Sequence, residues 1–220
     1  MLSVEAGGEP LLLLPAKAAF LPASRSLLVA DAHIGKAVSF RRLGVPVPRG
    51  TTSDTLSRLT ALVDALDAAE IVFLGDFLHS ERAHAAATLA TLHGWRGRHA
   101  GLRLTLVRGN HDDRAGDPPA ALGFTVVDEP LRRGGLALCH HPRPVAGAYT
   151  LAGHLHPGIA IGRGFDRMRL PCFWFGREVA VLPAFGAFTG LMTVRPQPGD
   201  RLYAVAGERL QAVAVAGERT

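Results

Sequence analysis

Five short clusters of Asp, Asn and His punctuate this chain, each at the end of an apolar run. Asp31-Ala32-His33 follows Leu27-Leu28-Val29-Ala30, Gly75-Asp76 follows Ile71-Val72-Phe73-Leu74, and Gly109-Asn110-His111-Asp112 comes just after Leu104-Thr105-Leu106-Val107. His140-His141 follows Leu136-Ala137-Leu138-Cys139, and Gly153-His154-Leu155-His156 follows Tyr149-Thr150-Leu151-Ala152. Such runs read as strands buried on both faces, and open α/β sheets bind ligands beyond the carboxyl ends of their strands. If the five strands share one core, their trailing loops gather seven or more metal-binding side chains in one place. That is the outline of a two-metal hydrolase site. Any one cluster alone reads as a capped turn or a satisfied core histidine; the ordered set does not.

The first two-thirds alternate strand and helix. After Asp31 a Gly- and Pro-punctuated loop is expected through Gly50, with Pro46 and Pro48 forbidding a helix there. The spacing predicts a helix over 53–68, capped by Ser53 or Asp54, with Leu56, Leu59, Leu62, Val63 and Leu66 as its apolar stripe. A strand at 71–74, an Ala-rich helix near 82–95, a strand at 104–107, a short helix from Pro118-Pro119 to 122 and a strand at 124–127 follow. This alternation predicts parallel pairing with right-handed crossovers. From 136 onward short strands separated by Gly, Pro and charged turns predominate, ending in a hairpin and a frayed tail. No linker is visible, so residues 1–220 read as one domain of the α/β (α+β) class.

Composition removes several alternatives. With 48% hydrophobic and 20% charged residues, the chain is not a disordered polymer. No apolar run approaches the roughly 18 residues of a membrane span. Leu11–Leu14 is cut by Pro15, followed by Lys17 and preceded by no basic stretch, a poor match to a secretory leader. Two cysteines cannot make a disulfide framework, and Cys139 falls within a predicted strand, so the cytoplasm is the expected location. The net charge of +5 favours a polyanionic partner such as nucleic acid. The same excess of Arg over Lys would also follow from a G- and C-rich genome.

Asp31 and His33 lie two apart, so at a strand end both can point the same way. Gly109 permits a sharp turn, Asn110 offers a neutral oxygen, and His111 projects elsewhere. His154 and His156 are alternate imidazoles, with Pro157 stopping the strand. A His-rich, carboxylate-poor set suits Mn²⁺, Fe or Zn²⁺ better than Mg²⁺ or Ca²⁺. Asp112 is a candidate to orient the ring of His111.

The order Asp-x-His, Gly-Asp, Gly-Asn-His-Asp, His, Gly-His-x-His, running from Asp31 to Pro157, resembles the calcineurin-like metallophosphoesterases. The resemblance implies a four-layer αββα sandwich, two mixed sheets flanked by helices, around two divalent ions, Mn²⁺ foremost. By that resemblance Asp31, His33, Asp76 and His156 would hold one ion. Asp76 would bridge to a second, held by Asn110, His140 and His154, and His111 would donate a proton beside the scissile phosphate. His140, the first residue past its apolar run, is preferred as ligand over His141.

His79, fifth in Gly75-Asp76-Phe77-Leu78-His79, resembles the pattern of double-strand-break-repair nucleases in this family. It could bond the nucleophile or a phosphate, or be an exposed loop histidine. Longer stretches, among them Leu170-Pro171-Cys172-Phe173 and Leu182-Pro183-Ala184-Phe185-Gly186, are similar to the bacterial ligase-associated DNA damage response endonucleases, although Ala32 stands where Leu is usual. That similarity implies DNA, single-stranded or branched, as substrate, and a DNA ligase, a helicase and a second nuclease as associates. Lys36, Arg41 and Arg42 are candidates to clamp flanking phosphates, with Arg108, Arg163, Arg167 and Arg169 weaker ones. A small-molecule phosphodiesterase or phosphatase would use the same centre. A non-catalytic repair scaffold is disfavoured because no ligand is missing.

Overall fold

The computed structural model describes residues 1–42, 44–47, 50–162 and 167–215, apart from the side chain of Arg42. Its first sheet runs in chain order across seven strands, β1 (Leu2–Ala6), β2 (Glu9–Leu14), β3 (Ala18–Leu21), β4 (Ser26–Val29), β5 (Glu70–Leu74), β6 (Arg103–Val107) and β7 (Phe124–Val127). The first four form an antiparallel meander with short turns. From β4 to β7 all pairing is parallel, as the alternation predicted. Parallel neighbours need crossovers. These are α1 (Lys36–Arg42) with α2 (Thr51–Leu66), then α3 (Ala86–Arg98), then the short α4 (Asn110–Ala115).

The second sheet is built from β8 (Leu131–Arg133), β9 (Leu136–Leu138), β10 (Tyr149–Ala152), β11 (Pro157–Ile161), β12 (Met168–Phe175), β13 (Val179–Val181), β14 (Met192–Thr193), β15 (Arg201–Ala206) and β16 (Arg209–Val213). Its order is β14-β11-β12-β13-β10-β9-β8, with β15 against β12 and β16 against β15. Both β9 and β13 pair in parallel with β10, while β12 and β15 pair antiparallel.

Alternation along the strands explains the unbroken apolar runs. Leu28, Val72 and Leu74 face the second sheet and pack with Leu138, Leu151, Phe173 and Phe175. Their neighbours Leu27, Val29, Ile71 and Phe73 pack on the other face against Leu56 and Leu59 of α2 and Leu92 and Trp95 of α3. Each such fully buried side chain contributes about 1.5–3 kcal/mol. Two mixed sheets packed face to face are therefore present, with α2 and α3 both on the first sheet rather than helices on each. The outer cluster of the second sheet, Cys172, Val194, Leu202 and Val215, contains no helical residue among those described.

Some local expectations differ. Helix α1 occupies part of the stretch read as loop, because Pro46 and Pro48 act only beyond its end at Arg42. Helix α2 starts earlier, with Gly50 rather than Ser53 or Asp54 at its N-cap and the Asp54 amide donating to the Gly50 carbonyl. No helix among the described residues is long and apolar enough to cross a membrane.

Candidate metal centre

The loops after β4, β5, β6, β9 and β10 meet at one edge of the sandwich. Main-chain bonds fasten them before any side chain acts. The His33 amide donates to the Asp76 carbonyl (2.9 Å), the Gly153 amide to the His140 carbonyl (3.1 Å), and the Phe185 and Gly186 amides to the carbonyls of Ala30 (2.8 Å) and Asp31 (3.0 Å). The Pro183-Ala184-Phe185-Gly186 stretch thus pins the first cluster from beneath. Arg58 of α2 holds that stretch in turn, donating to the Phe185 and Ala16 carbonyls with its guanidinium 4.0 Å over the Phe185 ring. Two glycines mark where loops touch. A Cβ on Gly75 (φ +76) would overlap the His140 ring, and one on Gly153 would lie 2.7 Å from Asp31 Oδ2. Asp31, His33, Asp76, His154 and His156 all adopt left-handed backbone, with φ of 53, 47, 52, 71 and 49.

Two donor sets result. Asp31 Oδ1 is buried without a hydrogen-bond partner, 3.6 Å from His156 Nε2, and His33 Nε2 lies 3.3 Å from the same His156 nitrogen. Beside it, His140 Nδ1 donates to the Leu74 carbonyl (3.1 Å), which leaves Nε2 with its lone pair. Around that Nε2 stand Asn110 Oδ1 (2.9 Å), His154 Nδ1 (3.0 Å) and Asp76 Oδ1 (3.5 Å). Two imidazole nitrogens bound about 2.05 Å from a tetrahedral ion would sit about 3.3 Å apart. A buried carboxylate oxygen left without a partner is costly unless a cation offsets it. Geometry and donor chemistry both fit a divalent ion.

Protonation points the same way. Burial, with Lys36 and three neighbouring imidazoles, holds the His33 pKa far below the usual range. Burial and the nearby His140 and His141 also lower that of His154. Both shifts favour the neutral ring, the form that binds metal.

No family model and no curated protein matches the chain. Among solved structures, the Pseudomonas putida nuclease MPE matches at 45% identity and TM-score 0.87, over 96% of this chain and 99% of that one. The chain belongs to the metallophosphoesterases. Yfce, a phosphoesterase from E. coli, aligns at 16% identity and TM-score 0.42, over 86% of this chain and 98% of that one, and adds nothing to the assignment.

As a metallophosphoesterase the chain is a hydrolase of phosphoester bonds, and its clustered Asp and His side chains form a divalent-metal site. His140 is fully buried among them, whereas His141 is half exposed and bound through Nδ1 to Glu129 Oε1 at 3.2 Å. His111 lies at the rim, its Nδ1 donating to the His79 carbonyl (2.8 Å) and its Nε2 3.9 Å from Asp76 Oδ2. The His79 ring stacks on that of His111 at 5.0 Å, and burial with Lys36 and His111 brings its pKa down to about 4. His79 is thus neutral and half-buried in the metallophosphoesterase site, not an exposed loop residue.

Asp112 requires a correction. It does not touch the His111 ring. Its Oδ1 accepts the Leu78 amide and its Oδ2 the Gly109 amide, both at 3.0 Å, so it clamps two ligand loops. The His79 carbonyl, a contact invisible in side-chain motifs, orients the ring instead.

Among the basic candidates, Lys36 opens α1 with its ammonium 5.7 Å over the Phe40 ring. Burial lowers its pKa, while Asp31 and Asp76 pull it back up, so it lies in the field of both carboxylates. Arg41 is on the same helix; the side chain of Arg42 and all of Arg163 lie outside the described residues. Arg108 is committed elsewhere, to Asp117 (2.9 Å) and Asp128 (2.5 Å), and Arg169 donates to the Leu191 carbonyl. Of the weaker arginine candidates, Arg108 and Arg169 are therefore engaged away from the metallophosphoesterase centre.

Proposed function

We propose that this metallophosphoesterase is a two-metal phosphodiesterase acting on DNA, with residues 1–220 working as one domain. The observation that carries the reading is the meeting of the two donor sets at Asp76. Its Oδ1 lies 3.5 Å from His140 Nε2 in one set, while its main-chain carbonyl receives the amide of His33 from the other. Asp31, His33 and His156 would hold one ion, Asn110, His140 and His154 the other, and Asp76 both. The donor set favours Mn²⁺, with Fe or Zn²⁺ as alternatives. Ions so held would polarise the phosphoryl oxygens and bring the pKa of water toward neutrality.

The chain's own residues supply the rest. His111 presents Nε2 to the leaving oxygen, fixed by its Nδ1 bond to His79. Its task is to carry a proton at that nitrogen and release it as the P–O bond breaks. The neutral His79 ring packs beside it and limits water at the leaving group. Lys36 and Arg41, with Arg42 in sequence, are the candidate contacts to flanking phosphates. The nuclease relative and the basic balance of the chain support a nucleic acid as the polymer, and the motif resemblance selects DNA. A repair role, with a ligase, helicase and second nuclease as associates, rests on the motif resemblance alone, and the cytoplasmic location on cysteine usage and the poor leader match.

The test is purified protein loaded with Mn²⁺ and offered single-stranded DNA, RNA, cyclic nucleotides and a chromogenic diester. Cleavage of DNA together with two bound ions per chain is expected. Hydrolysis of the small ester without any cleavage of DNA would replace this reading with a small-molecule phosphodiesterase.

A further inference from the structure

A groove opens on the outer side of His111, lined by His79, Ser80, Glu81, Arg82, His111 and Arg114. The arginines come from two short segments that are clasped at both ends. At one end His111 Nδ1 donates to the His79 carbonyl (2.8 Å); at the other His84 Nε2 donates to the Ala115 carbonyl (2.9 Å). Between these rungs Arg82 and Arg114 project into solvent, and neither guanidinium forms a hydrogen bond or ion pair among the described residues. Arg108, earlier in the same segment, is consumed by three carboxylates, those of Asp113, Asp117 and Asp128. Glu81 lines the groove as well, so with Arg82 and Arg114 it leaves a sum of one positive charge. Ser80 is steadied by a 2.9 Å hydroxyl contact with Ser39.

Resting on the DNA reading above, we infer that this groove receives the leaving nucleotide, and that Arg82 and Arg114 bind the next phosphate on the leaving side. A group that protonates a leaving oxygen must touch it, so the surface continuing outward from His111 is where the departing strand lies. An unpaired guanidinium with a fixed fork of donors suits a phosphate better than a neutral ligand. Lys36 and Arg41 lie on α1, outside this groove, so the two basic groups would hold the strand at separate places. A short ester never reaches Arg82 and Arg114; a polynucleotide does. The groove thereby gives a centre of general diesterase chemistry its preference for a polymer.

The experiment compares a dinucleoside monophosphate with the same compound carrying one more phosphate on the far hydroxyl of its leaving nucleoside, using Mn²⁺-loaded enzyme. For wild type the extra phosphate should raise kcat/KM about tenfold. In the double variant Arg82→Ala, Arg114→Ala that gain should vanish. On single-stranded oligonucleotide the same variant should flatten the dependence of log affinity on log salt by about 0.7, the share of one lost phosphate contact. Both side chains are exposed and bond nothing, so the variant should fold, and bound metal per chain confirms it. An equal gain in variant and wild type, or no gain in either, would overturn the inference while leaving the DNA reading intact. Failure of wild type to cleave either dinucleotide, with the chromogenic diester still hydrolysed, would sink the DNA reading and the subsite with it.

Discussion

His111 gives its Nδ1 proton to the main-chain carbonyl of His79, 2.8 Å away, leaving Nε2 as the nitrogen able to meet a substrate. The ring is therefore aimed by the backbone of a neighbouring loop. His111→Ala should lower kcat/KM by about 10²–10⁴-fold on an alkyl-leaving substrate such as DNA. The loss should be smaller on a nitrophenyl ester, whose leaving group needs little protonation. Metal content per chain, measured in parallel, should not change. An equal loss on both substrates would remove the proton-donor role.

Asp76 is proposed to serve both ions, which sets it apart from Asp31. Asp76→Asn should weaken both sites, whereas Asp31→Asn should weaken one. Titrating Mn²⁺ into stripped wild type to about 100 times its Kd adds about 2.7 kcal/mol per site. For a chain of this size that is a rise in Tm of roughly 5–10 °C. Asp76→Asn should abolish most of the rise and Asp31→Asn about half. A full rise in Asp76→Asn would show that this carboxylate holds neither ion.

Asp112 is fully buried and accepts two amides. Asp112→Ala would orphan both, at about 1–3 kcal/mol each. Thermal unfolding should detect the change as a clear drop in Tm. Asp112→Asn keeps one acceptor and should lose less. A Tm for Asp112→Ala within a degree of wild type would refute the clamp.

Lys17 donates to the Gly186 carbonyl at 3.3 Å, and burial followed by the Arg58 charge lowers its pKa from 10.5 to about 8. Below pH 8 the ammonium is charged in both states and the folded protein bears the cost of burying it. Between about 8 and 10.5 the unfolded chain holds a proton that the folded one has lost, so stability rises with pH. Lys17→Met should therefore be more stable than wild type at pH 7, with an advantage that shrinks as pH climbs through this window. Chemical denaturation at pH 7, 8.5 and 10 would show it. A constant difference would contradict the lowered pKa.

The parallel strands were legible because burial on both faces writes an unbroken apolar run, as at Ile71-Val72-Phe73-Leu74. The metal clusters were legible because each ends such a run. Strands β1 to β3 lie outside the strand–helix alternation legible in the sequence, although Leu11 and Leu13 pack between the sheets. Helix α4 was hidden because Gly109-Asn110-His111-Asp112 reads as a turn, while its backbone is the first turn of a helix whose Asp112 reaches back to the Gly109 amide. Arg82 and Arg114 carried no motif. They become neighbours through the His79–His111 and His84–Ala115 bonds, which join residues 32 and 31 apart in the chain.

Five of the seven side chains proposed to hold metal sit on backbone that L-amino acids avoid, with φ from 47 to 71. At about 1–2 kcal/mol per residue, the apo protein is under tension that glycine would relieve. Relatives that abandon catalysis could thus grow sturdier by replacing these residues, so hardiness without metal would be a mark of a retired enzyme.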